Sequence, residues 1–412
     1  MPRTEHPWPS HTTVTVPWRS SVRGPRHDRE TTSVVASVPP RIARLPWVPD
    51  ADTAALLDRA AAALVALDEQ DGDRLAVLGR LLDRTEAVSS SRIEDEHATL
   101  DDLARAVVGV RANRSATAMV RAGGAIETLV SSAASGTISE RAVLAAHHRL
   151  LRDDPVDGPS AGRWRDVQNW IGGGATPRLA RHVPPPPGLV PELMDDLFAF
   201  LARDDLHPIA QAAIAHAQFE SIHPFTDGNG RIGRALIAAV LRRRGLARVV
   251  TAPVATALVA ERDRYFWHLD RYRRGAVDEW VRDLAIAVGT VCDEATVTAL
   301  LLDEAAVAVP PLAPSADAHV ASWWPTRAHD AVARTLVDDP VVTEEHLEHV
   351  LGGDAGAIDA VTDDLCRVGV LRPVTERRRR RAWLGVAAAD AVTAFTDRVH
   401  DVVTHRANRV GW

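Results

Sequence analysis

The sequence predicts a mainly α-helical protein. Between residues 51 and 303, apolar residues recur at three- and four-residue intervals through most of the chain. That period breaks at residues 162–187, GRWRDVQNWIGGGATPRLARHVPPPP, where WRDVQNWI alternates and Gly172 to Gly174 permit a tight reversal, so a short β-hairpin is expected there. Residues 326–385 then read as helix, helix, helix and two strands, the order of a winged helix-turn-helix.

Residues 1–50 are rich in Pro, Arg, Ser and Thr and read as an extended N-terminal arm. Helical periodicity begins at Ala51 and continues through DRLAVLGRLLDRTEAVSS, with further helices expected near 99–110, 114–133 and 138–152. After the expected hairpin, Pro184 to Pro187 make a stiff exit. Helices resume at 190–204, 207–221, about 229–245, 257–273 and 277–303. The domain division that follows is an arm at 1–50, a helical domain at 51–305, a linker at 306–322 and a winged-helix domain with its tail at 323–412.

Composition removes several chemistries. The chain has 412 residues, 46% hydrophobic and 25% charged, an ordinary globular balance that argues against global disorder. It contains no lysine, so all 48 basic residues are arginine, and neither a lysine nucleophile nor a phosphate-loop lysine is available. A net charge of −7 gives no general attraction for polyanions. Cys292 and Cys366 lie far apart without metal-ligand spacing, which suits a reducing cytoplasm. The first residues lack a signal-peptide core and no run of 18 apolar residues appears, so no membrane partner is expected.

The chemistry concentrates in HPFTDGNGRIGR, residues 223–234. Pro224 biases His223 away from helical angles, so the preceding helix ends near Ile222 and the segment is a loop between helices. Phe225 anchors that loop in the core. Gly228, Asn229 and Gly230 let backbone N–H groups converge where the next helix begins, which makes an anion site. Arg231 and Arg234 share one face of that helix and reach further phosphates. Asp227 is a hard oxygen ligand suited to Mg²⁺ on phosphate oxygens, and His223 can take a proton from an incoming hydroxyl. Together these parts fit nucleotidyl transfer from a triphosphate.

This segment resembles the signature of the Fic family, HPFx[D/E]GNGRxxR, at every fixed position. The resemblance covers roughly residues 40 to 300. It implies a Fic-type helical core with a β-hairpin flap, and transfer of AMP from ATP to a Ser, Thr or Tyr hydroxyl of a target protein. It implies that His223 is the base, that Asp227 is the Mg²⁺ ligand, and that Gly228 to Arg231 with Arg234 hold the triphosphate. Gly230, where a kinase-like branch carries Lys, leaves the β-phosphate position open and favours AMP over phosphate transfer. Tyr265 and Phe266 fall where family members surround the adenine.

SSSRIEDE, residues 89–96, resembles the family's inhibitory helix, S/T-x-x-x-E-G/N, with Ser90 and Glu94 at the required spacing. A carboxylate there can pair with Arg234 and occupy the γ-phosphate position. Asp95 departs from the usual Gly or Asn. His147, His148, His207 and His216 sit on helices without carboxylate or Cys at ligand spacing and read as packing or surface residues. In the C-terminal module the expected recognition helix carries Asp359, Asp363 and Asp364 against Arg367, and only Arg377 to Arg381 form a strongly basic wing. DNA contact through that wing and a homodimer both stay open. So do the reverse, de-AMPylating hydrolysis on the same site and a DNA-binding regulator whose core senses nucleotide.

Overall fold

The computed structural model describes residues 8–19, 30–69, 72–110, 113–174, 176–307, 341–351, 355–375 and 380–410. It is mainly helical, with small antiparallel strand pairs, and divides into two compact units that each draw on three stretches of the chain.

The first unit comprises Met1–Ala61, Gly124–Leu246 and Arg262–Ile286. Its N-terminal part is not the plain extended arm expected from composition. Strands β1 (Thr12–Pro17) and β2 (Ser33–Val38) pair antiparallel, with Thr12 opposite Val38 and Pro17 opposite Ser33. The alternation of Val14 and Val16 with threonines is the strand signal that the Pro and Arg content obscured. The Ser37 N–H donates to the Val183 carbonyl at 2.8 Å, so the pair is joined to the segment expected to be the flap.

That flap is reduced to one antiparallel bridge, Ile171 to His182, instead of a two-stranded hairpin. The reason lies in the prolines. Pro184 to Pro187 have no N–H to give to a ladder. Side chains make the cross-links instead: Gln168 Nε2 donates to the Pro184 carbonyl at 2.9 Å and Arg165 Nη2 to the Pro185 carbonyl at 2.6 Å.

Four helices frame the centre of this unit: α5 (Glu140–Leu151), α6 (Val190–Leu201), α7 (Pro208–Ile222) and α8 (Asn229–Arg243). Pro208 stands at the first turn of α7, where its missing N–H costs nothing, and every residue from Ile209 to Ile222 is buried. A helix with no polar face can only be a core helix. It packs closely on α8 because Gly233 has no side chain; a Cβ there would collide with Glu220 and Phe219. The single helix expected at 257–273 is two, α9 (Val254–Ala260) and α10 (Arg262–Arg273), broken where Glu261 leaves helical angles at φ −126° and ψ 54°. Their apolar spacing runs through the break and hides it.

The second unit comprises Ala62–Gly123, Ala247–Glu261 and Ala287–Trp412. Helix α1 (Ala51–Asp68) ends in it, followed by α2 (Gly72–Ile93), α3 (Leu100–Val107) and the first half of α4 (Arg114–Ala133). Buried Asp68 accepts from the backbone N–H groups of Arg248, Val249 and Val250. Buried Glu86 accepts from Ala255 N–H at 2.8 Å, and Ser89 Oγ meets Thr256 Oγ1 at 3.0 Å, so α9 is pinned to α2 by polar bonds.

Helix α11 runs from Val277 to Val307, and Val277–Ala305 is long and apolar enough to cross a membrane by length and composition alone. Half of the most apolar window within it is buried against the protein. Residues 308–340 lie outside the described residues, and with them most of the expected linker and the helix expected from residue 326. Beyond them come β3 (Val341–Thr343), α12 (Glu344–Leu351), α13 (Ala355–Arg367), β4 (Leu371–Pro373), β5 (Ala382–Gly385) and α14 (Val386–Val410). The three strands form one antiparallel sheet in the order β3-β5-β4. Ala104 of α3 shares a buried cluster with Val341, Val374 and Leu384, and Arg372 on β4 donates to Asp101 on α3 at 2.9 Å.

Candidate active site

His223 is the C-cap of α7, in the left-handed conformation at φ 50° and ψ 60°, with its N–H bonded to the Phe219 carbonyl at 2.8 Å. A residue with a Cβ pays strain for such angles, so other contacts must hold it there. Arg165 supplies them: its Nε donates to the His223 carbonyl at 2.8 Å and its backbone N–H to the Pro224 carbonyl at 2.9 Å.

The rest of the loop is clamped from within. Phe225 is fully buried, and its N–H and carbonyl both bond the side-chain amide of Asn229, at 2.8 and 2.9 Å. Asn169 Nδ2 adds a second donor to the Phe225 carbonyl at 2.8 Å. On the opposite face of Phe225 lies His147, stacked with ring centroids 3.6 Å apart. The Gly162 N–H donates to His147 Nδ1, which fixes the tautomer, so Nε2 carries the proton and donates to the Asp227 carbonyl at 3.1 Å. His147 is therefore a buried organiser of the loop, beyond the plain packing role its sequence setting suggests. Gly228 caps α8 at φ 76°, and a Cβ there would lie 2.8 Å from Leu150 Cδ2.

Asp227 is exposed, and Arg231 Nη2 donates to its Oδ2 at 2.9 Å. The first N–H groups of α8 have no intrahelical partner because of where the helix starts. Arg231 Nε and Thr226 Oγ1 are buried and meet no hydrogen-bond partner among the described residues. Arg234 is almost wholly buried on the same helix. A helix N-terminus, a guanidinium with a spare donor and a hydroxyl form a receptor for an anion with several oxygens.

The electrostatics keep the histidines neutral. Burial, then the charges of Arg165 and Arg273, pull the half-buried His223 down to about 3, with the Glu220 backbone carbonyl acting in the opposite sense. Burial likewise pulls His147 down to about 4. His223 Nδ1 is enclosed, leaving Nε2 as the nitrogen able to take a proton from outside.

The expected aromatic pair separates. Tyr265 is 1% exposed and its hydroxyl meets His216 Nε2 at 2.9 Å, so it belongs to the core and offers no face for a base. Phe266 is half-buried, with the guanidinium of Arg181 and that of Arg262 each 5.4 Å from its ring centroid. Glu94 and Asp95 lie exposed just past the end of α2, and Asp95 is left-handed at φ 62°; Ser90 is buried on α2. In the C-terminal module, Arg377 to Arg379 lie outside the described residues. Arg381 is bound to Glu344 at 2.8 Å and to Asp359, which occupies the basic end of the expected wing with the module's own acids.

The site is thus a clamped loop that leads into the N-terminus of α8 within a helical core. Comparison with known proteins places it further: residues 137–241 match the Fic/DOC family and residues 54–122 match the Fic/DOC family N-terminal region. The two matched stretches follow one another in the chain, the N-terminal one first. It is 32% identical over 178 residues to a protein named protein adenylyltransferase Fic from Nematostella vectensis, covering 42% of this chain and 36% of that one. The protein of the same name from Drosophila grimshawi is 34% identical over 152 residues, 36% of this chain and 28% of that one. The chain spans about a third of the length of these curated relatives. Among solved structures, a Fic family protein from Desulfovibrio desulfuricans G20 has the same fold at a TM-score of 0.52 and 24% identity, over 83% of this chain and 98% of that one. Fic-1 from C. elegans matches at a TM-score of 0.50 and 22% identity, over 60% and 72%.

The loop residues expected from the motif all fall together. Sequence reasoning missed Arg165 and Asn169, and undervalued His147. They bond the loop from 58, 56 and 80 residues away, a separation over which spacing carries no signal.

Proposed function

We propose that this chain transfers AMP from ATP to a Ser, Thr or Tyr hydroxyl of a target protein, and that Glu94 holds that activity in check. One observation carries the reading: the loop joining α7 to α8 presents a neutral imidazole, an exposed carboxylate and an arginine-bearing helix N-terminus within twelve residues. The relatives named protein adenylyltransferase Fic support the same reaction class.

The target hydroxyl gives its proton to His223 as its oxygen attacks the α-phosphorus of ATP. A new phosphorus–oxygen bond forms, the bond to the bridging oxygen of the β-phosphate breaks, and pyrophosphate leaves with that electron pair. Arg231 and Arg234 bear the charge that develops on it, together with the first N–H groups of α8. Asp227 fits a Mg²⁺ ion carried by the nucleotide, since Arg231 occupies only Oδ2 and the second oxygen stays available. Such an ion would supply charge neutralisation for the phosphates.

The regulatory half of the proposal rests on α2, which stops at Ile93 and leaves the Glu94 carboxylate exposed at its end. Directed at Arg234, that carboxylate would take the place of the γ-phosphate. Phe266 is the member of the aromatic pair left for the adenine.

His223→Ala should lower AMP transfer by about 10²- to 10⁴-fold while ATP binding persists, because the base acts on the hydroxyl and not on the nucleotide. Rates with labelled ATP, alongside calorimetric binding, provide the check. Transfer at the wild-type rate would remove His223 from the mechanism.

A further inference from the structure

Arg165 has an unusual set of partners. It is 4% exposed, yet every hydrogen bond its side chain makes among the described residues ends on a carbonyl oxygen. Nε reaches His223 at 2.8 Å, Nη1 reaches Val167 at 3.1 Å, and Nη2 reaches Pro185 at 2.6 Å and Ile222 at 3.4 Å. Its backbone N–H takes the Pro224 carbonyl. The carbonyls of residues 222, 223 and 224 therefore all terminate on one residue.

Among the described residues no carboxylate balances this cation, and burying an unpaired charge is expensive. The carbonyls at the C-terminus of α7 offset part of that, as a helix dipole favours a cation there. Satisfying those carbonyls does not by itself require a charge, since a glycine cap does it routinely. The buried guanidinium calls for a second reason, and the base beside it supplies one.

We propose that Arg165 is a positioning residue for His223, fixing the strained backbone that aims the imidazole at the incoming hydroxyl. The inference rests on the reading of His223 as the base. Its charge acts in the same direction. The groups facing His223 are Arg165 from the flap segment, Arg273 from α10, His182 from the flap and Glu220 from α7. Arg273 is neutralised by Asp270 at 2.7 Å and feels Glu220, and His182 is held neutral by burial while it meets the Ser221 carbonyl. Arg165 is the cation of this set without an acid, and it comes before Arg273 among the charges that hold His223 deprotonated.

The test uses the full chain with Arg165→Lys and Arg165→Met. The readouts are kcat and KM for AMP transfer, and an NMR titration of His223 without nucleotide. Arg165→Lys keeps the charge but loses the fork: kcat should fall tenfold or more at unchanged KM for ATP, with His223 still titrating well below 6. Arg165→Met loses both, so kcat should fall further and His223 should titrate nearer its ordinary value of about 6.5. Unchanged kcat in both variants would overturn the proposal, as would a parallel loss of kcat and ATP affinity, the mark of a merely loosened site. If Arg165→Met does not fold, Arg165→Lys and the wild-type titration decide; a wild-type His223 titrating near 6.5 would also overturn it. Absence of any AMP transfer by the wild type would be a failure of the reaction assignment instead, and the titrations would still test Arg165.

Discussion

The loop at residues 223–234 and the turn that follows α2 both end a helix in the left-handed region, at His223 with φ 50° and Asp95 with φ 62°. They are held differently. The loop is locked by three side chains from two other segments: Arg165 on its first carbonyls and Asn169 on Phe225, both from the flap segment, and His147 of α5 on Asp227. At its bend the turn has local backbone bonds, Glu94 N–H and Glu96 N–H to the Ser91 carbonyl at 3.0 and 3.1 Å and Asp95 N–H to the Arg92 carbonyl at 3.1 Å, and Ser115 Oγ of α4 donates to Glu96 Oε2. Its two acids stand exposed. Proton transfer tolerates little misplacement, so a base needs an over-determined backbone. The proposed brake must release, which needs only a small free-energy difference between two positions of the turn.

The largest effect expected from breaking this contrast is at His223, where His223→Ala should lower transfer by about 10²- to 10⁴-fold. Acid should attack the locked side next. His147 is fully buried and held near pH 4, against about 6.5 in the unfolded chain. Between those values the unfolded state binds the proton and the folded state does not, so stability rises with pH through that window. The stabilisation is complete above about 6.5 and falls away toward 4, by on the order of 3 kcal/mol for this one residue. Denaturant unfolding at a series of pH values should show that slope, reduced in His147→Gln.

Gly228→Ala should come after these. The added Cβ meets Leu150 and the backbone stays left-handed at φ 76°, a combination worth about 1–3 kcal/mol, read as a lower Tm and weaker ATP binding.

At the turn after α2 the effects are smaller. Glu94→Gly should raise AMP transfer about tenfold, near 1.4 kcal/mol, with little change in Tm. No increase would make the turn after α2 structural only. Asp95→Gly relieves the left-handed strain by about 0.5 kcal/mol, because an aspartate tolerates that region better than most residues but less well than glycine. A firmer turn should then lower basal transfer slightly.

The same contrast sets what the sequence disclosed. The loop's set of residues was legible because its imidazole, carboxylate, glycines and arginines are neighbours in sequence, and Pro224 alone places the end of α7. The clamps were not, because Arg165 and His147 act across long separations and look like any arginine in a hairpin or histidine on a helix. Periodicity found the helices but not the break at Glu261, where apolar spacing continues across a residue outside helical angles. Tyr265 and Phe266 are adjacent and chemically alike; only packing shows that one is sealed against His216 and the other reaches the edge of the core.

The central claim is that the clamped loop transfers AMP. It is tested most directly by incubating wild type, Glu94→Gly and His223→Ala with ATP labelled on either the α- or the γ-phosphate, and following label into protein. Label should enter from the α-phosphate only, more in Glu94→Gly than in wild type, and about 10²- to 10⁴-fold more slowly in His223→Ala. Incorporation from the γ-phosphate, or equal α-label in the His223→Ala protein, would contradict the assignment.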